Sequence, residues 1–91
     1  MKDIRESVER LVARKLAKFC KLSDDVWEYA ELKFNEFQSC KAHATLIQSE
    51  GFHVETGAAN IPTAFVATFG EGKPVIGILG EYDALEGLSQ Q

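Results

Sequence analysis

Residues 1–50 contain no glycine and no proline, and that uninterrupted stretch commits the first half of the chain to helix. Apolar residues fall within it at Ile4, Val8, Leu11, Val12, Leu16, Phe19, Val26 and Ala30. This is the i, i+3/i+4 spacing of one helix face, with a phase adjustment near Leu22-Ser23. Asp3 and Glu6 stand in the first turn, where carboxylates suit the positive end of the helix dipole. Ser23-Asp24-Asp25 either caps a new helix or rides on the exposed face of a continuous one. The spacing favours one long helix over 3–33, with room for a bend near 23.

A second helix is predicted over 36–50. Asn35 and Gln38 have the spacing of a capping box, with Ser39 as an alternative cap. Phe37, Cys40, Ala44 and Ile47 form one apolar stripe, and Gly51 suits the left-handed position after the last turn. Phe34 and Phe37 are expected to pin the two helices together.

After Gly51 the period changes. Phe52, Val54 and Thr56 alternate with His53 and Glu55, which predicts a half-buried strand over 52–56. Gly57-Ala58-Ala59-Asn60 reads as a loop, and 63–69, β-branched and aromatic, as a second strand. Gly70-Glu71-Gly72-Lys73 is a tight turn that suits an antiparallel hairpin. Pro74 then opens a third strand over 75–80. The run Val75-Ile76-Gly77-Ile78-Leu79 has no polar side chain, so both its faces should be covered. The expected fold class is α/β: two helices, then about three strands, an incomplete piece of a larger sheet. Such a piece leaves one sheet edge and one face unpaired.

Ninety-one residues make one small domain. A composition of 45% hydrophobic residues, with nine aromatics, excludes a disordered or low-complexity chain. No stretch approaches the length of a membrane span. The charged start Met1-Lys2-Asp3-Ile4-Arg5-Glu6 has no apolar core of a signal peptide, so a cytoplasmic location is expected. A net charge of −4 argues against nucleic acid or anionic membrane as the main partner. The charge is uneven: residues 1–41 hold nine of the ten bases, and residues 42–91 hold Lys73 against six acids. Cys20 and Cys40 have no metal or redox spacing and read as reduced, buried thiols, with a disulfide between them as the alternative.

Chemistry concentrates in Pro74 to Gln90. The third strand would deliver Glu81 and Asp83 at its C-terminal end, where sites form in open α/β sheets. At i and i+2 on extended backbone they would point the same way. Gly77 and Gly80 allow close approach of backbone or ligand. An acidic turn at a strand end accounts for the same residues without chemistry. Elsewhere, His43 and His53 lack ligand spacing, and Trp27, Phe19, Phe34 and Phe37 read as packing residues. Ser39 and Ser89 lack a nucleophile-elbow context, and Gly70-Glu71-Gly72 reads as a turn.

Three runs, Pro62-Thr63-Ala64-Phe65-Val66-Ala67, Gly80-Glu81-Tyr82-Asp83-Ala84-Leu85 and Gly87-Leu88-Ser89-Gln90, carry a resemblance. Trp27-Glu28, Glu31-Leu32, Phe34, Glu36, Ser39 and Gly51-Phe52-His53-Val54 add to it. Over residues 4–90 the chain resembles the N-terminal part of metal-dependent amidohydrolases of the aminoacylase/carboxypeptidase superfamily, in particular the p-aminobenzoyl-glutamate hydrolase group.

The resemblance implies cleavage of the amide bond of N-acyl amino acids or short peptides by one or two divalent ions, Zn²⁺ or Mn²⁺, in an α/β catalytic domain. It implies that Asp83 orients a metal-ligating histidine, that Glu81 stands where relatives place a metal ligand, and that Tyr82 lines the pocket. Two positions depart from the family pattern. Glu86 stands where Pro is usual, and Ala30 replaces a Pro, which should let the first helix continue. The family's remaining ligands and general-base Glu lie beyond Gln91, and a catalytic ion needs about three protein ligands. The chain by itself is therefore expected to be inactive, and a downstream polypeptide or further copies of the chain are its expected partners. The alternative is a non-catalytic interaction module.

Overall fold

The computed structural model describes residues 3–87. Helix α1 spans Ile4–Tyr29 and helix α2 Phe37–Ser49. Strands β1 (His53–Thr56) and β2 (Phe65–Thr68) pair antiparallel, with His53 opposite Thr68 and Thr56 opposite Phe65. Among the described residues no helix is long and apolar enough to cross a membrane.

The Asp3 side chain caps α1 by accepting the Arg5 N–H at 3.0 Å. The helix is continuous through Ser23 but ends at Tyr29, short of the expected 33. Ala30 adopts the left-handed conformation (φ 45°) and donates its N–H to the Val26 carbonyl. Replacing Pro by Ala at this position therefore does not extend the helix. The chain next turns from Leu32 to Asn35, with Phe34 also left-handed (φ 65°).

The cap of α2 differs from the Asn35–Gln38 box. Glu36 occupies the cap position without a side-chain cap bond. Instead the Glu31 carboxylate reaches across the turn and accepts the N–H groups of Gln38 (3.0 Å) and Ser39 (2.7 Å). A carboxylate at that end also meets the positive pole of the helix dipole. The far end carries the opposite arrangement. Glu50, beside the negative pole of α2, is held by Lys15 and, at 2.6 Å, by Lys18 of α1. These two ammonium groups offset an otherwise unfavourable position and tie the helices together. Gly51 is left-handed (φ 98°), as the sequence suggests, and turns the chain into β1.

The hairpin lies on α2, with Val54, Phe65 and Ala67 half-buried. Phe52 and Phe69 flank it, their ring centroids 5.2 Å apart. The best-covered side chains are Ser39, Cys40 and Ala44 of α2 and Thr63. Cys40 is buried as expected, but Cys20 is exposed, and both thiols are free.

The third strand is not formed. Residues 75–80 lie outside the sheet, and Val75, Ile76, Ile78 and Leu79 are 85%, 82%, 95% and 94% exposed. Gly70–Lys73 accordingly closes no hairpin. A run that is apolar on both faces needs a neighbouring strand and a layer on each side. The short hairpin, with α2 on one face, offers it neither. The α/β reading thus holds as two helices with a two-stranded antiparallel sheet.

Candidate functional site

The segment after the exposed run returns to the body of the protein at Tyr82. Its hydroxyl donates to the buried Thr63 carbonyl. Its ring packs against His43 of α2 (centroids 4.9 Å apart) and stacks on Phe65 of β2 (6.4 Å, interplanar angle 13°). Burial pushes the phenol well above its usual range, and the Cys40 thiol beside it adds to the shift. Two residues on, the Ala84 N–H donates to the Glu31 carbonyl at 2.7 Å. The chain is therefore fastened immediately before and immediately after Asp83.

Glu31 links the two ends of this arrangement. Its carbonyl holds Ala84 while its carboxylate caps α2. Partial burial would raise the carboxyl's pKa, but the N–H groups of Ser39 and Gln38 outweigh it and hold the group below its ordinary range. His43 sits within hydrogen-bond distance of the Ser39 carbonyl through Nδ1 (3.0 Å), which suits a protonated Nδ1 and leaves Nε2 as the basic nitrogen. Ser39 Oγ and Glu36 Oε1 are buried in the same neighbourhood with no hydrogen-bond partner among the described residues.

Glu81 and Asp83 are both exposed, and among the described residues neither makes a hydrogen bond or an ion pair. Tyr82, between them, is the residue of the three that is built into the fold. Two open grooves flank α2, one with Phe37, Cys40, Val54 and Pro62 in its walls, the other with Lys18, Leu22, Lys41 and Leu46. Neither is lined by Glu81, Tyr82 or Asp83. Among the described residues no three His, Cys, Asp or Glu side chains come together in a group that could hold a metal ion. The donor set of a divalent centre is thus not assembled by these residues. Leu88, Ser89 and Gln90, part of the resemblance, lie outside the described residues.

Sequence reasoning singled out Tyr82 but not its partners Thr63, His43 and Cys40. Nor did it find the double role of Glu31. The signal available for His43 was its place on the α2 face three residues beyond Cys40.

The fold is that of a small α/β unit, a helical pair over a hairpin, which holds an acid-Tyr-acid turn at its surface. No family model matches the chain, and no solved structure matches it. Across all 91 residues it is 43% identical to a p-aminobenzoyl-glutamate hydrolase polypeptide of Escherichia coli (strain K12). That agrees with the amidohydrolase resemblance read from the sequence. The chain spans 19% of the length of this relative.

Proposed function

We propose that this chain supplies the N-terminal part of the catalytic domain of a metal-dependent amidohydrolase. Its substrates would be N-acyl amino acids such as p-aminobenzoyl-glutamate, or short peptides. The observation that carries the reading is the 43% identity over the whole chain to a p-aminobenzoyl-glutamate hydrolase polypeptide.

In this reading Asp83 accepts the N–H of a histidine supplied from outside the chain and fixes that ring's orientation. Glu81 is the chain's one candidate metal ligand, for Zn²⁺ or Mn²⁺. Tyr82 is the buttress: its bond to the Thr63 carbonyl and its packing on His43 and Phe65 support a fixed position for the acids on either side. The donors on this chain are too few for a catalytic ion, so the isolated chain is expected to be inactive. A second reading, a non-catalytic module that pairs with itself or another chain, draws on the exposed apolar run at 75–79.

The test is hydrolysis of p-aminobenzoyl-glutamate with added Mn²⁺ or Zn²⁺. The isolated chain is compared with the chain mixed with a polypeptide corresponding to the rest of the relative. Activity in the mixture alone, lost on Asp83→Ala, is the expected result. Activity of the isolated chain would overturn the incomplete-site reading, and silence in both would overturn the hydrolase reading.

A further inference from the structure

The chain exposes 7800 Å² of surface. A compact monomer of its 10.1 kDa mass would expose about 5,300 Å² by the usual mass scaling. The excess exceeds the roughly 800 Å² per partner that a stable interface takes. Two apolar surfaces account for much of it. One is the flank of α1 that carries Leu11, Val12, Leu16 and Phe19, all exposed. The other is Val75, Ile76, Ile78 and Leu79.

Their charges are opposite. Residues 10–21 of α1 hold Arg10, Arg14, Lys15, Lys18 and Lys21 and no acid, and Arg14 and Lys18, three and seven residues after Leu11, border the apolar stripe. The apolar run at 75–79 is followed by Glu81, Asp83 and Glu86, with no base after Lys73. The run is also displayed rather than loose. Before it, Phe69 packs on Phe52; after it, Tyr82 is bonded to Thr63. A segment tethered at both ends loses less freedom on docking than a free tail.

We infer that the partner of these surfaces is a second copy of the chain. The 75–86 segment of each copy lies along the basic apolar flank of α1 in the other, giving two reciprocal contacts related by a two-fold axis. This deepens the interaction reading and is independent of hydrolysis. Anionic lipid fits less well, because Glu6, Glu9, Asp24, Asp25 and Glu28 share the helix and the net charge is −4.

The test is light scattering and sedimentation of the purified chain, at low and high salt. A dimer that weakens with salt is expected. Ile78→Asp and Leu16→Asp should each weaken it roughly tenfold or more while helix content stays unchanged, since both side chains already face solvent. Arg14→Glu and Glu86→Lys should each weaken self-association, and mixing the two variants should restore a heterodimer. A monomer at all concentrations overturns the proposal, as does a dimer indifferent to Ile78→Asp. A monomer that captures the rest of the relative through these same residues also overturns it, while leaving the interaction reading in place. Binding of the monomer to phosphatidylserine vesicles would overturn it in favour of a lipid surface.

Discussion

Tyr82 sits between two exposed acids and is the side chain through which residues 80–84 join the fold. Removing its hydroxyl in Tyr82→Phe deletes one bond to the Thr63 carbonyl and leaves the ring packing intact. The expected cost is about 1 kcal/mol in urea unfolding, with faster amide exchange at Ala84 as the local sign of a loosened segment. The sequence made Tyr82 visible because it lies inside the Gly80–Leu85 run that carries the family resemblance. It could not reveal what Tyr82 touches. Thr63 is 19 residues away, and His43 lies on a helix whose orientation only the folded chain sets. The same limit hid Glu31. A carboxylate seven and eight residues before the N–H groups it caps lies outside any local capping pattern, so Asn35 and Gln38 looked the better pair.

Among the elements, α1 and α2 were legible because helix needs only local bonds and an unbroken run of compatible residues. Their ends were less so. Ala30 takes a left-handed conformation that costs an L-residue about 1–2 kcal/mol and glycine little. Ala30→Gly should therefore raise the urea midpoint, whereas Ala30→Pro, whose ring cannot reach φ 45°, should lower it sharply. The clamp between the helices depends on pH. Hydrogen bonds from Lys15 and Lys18 lower the Glu50 pKa from 4.5 to about 2. A carboxyl with a lowered folded pKa contributes stability that is fully present above its unfolded value. That contribution fades as pH falls from about 4.5 toward about 2. Thermal midpoints across that window should drop less steeply in Glu50→Gln than in the parent chain. The third strand misled for a complementary reason. Alternation and β-branching are local, but a strand exists only against a neighbour, and residues 75–79 have none in this fold.

At the scale of the whole molecule, the dimensions are 50 × 31 × 19 Å and the radius of gyration 15.2 Å, against about 12 Å for a compact chain of this length. The cover is concentrated on α2, while α1 has no buried residue. Stability should be graded accordingly. In hydrogen exchange, the amides of residues 40–47 should be the slowest and those of residues 7–14 among the fastest, because only the former lie under packed side chains. Uniform protection along both helices would contradict this. The two thiols divide along the same line, Cys20 in the open and Cys40 sheltered. A maleimide should thus tag one sulfur within seconds and the other only when α2 lifts from the hairpin. The molecule therefore carries its own stopwatch, and the lag between first and second label would read out how often its centre opens, with no dye or substitution introduced.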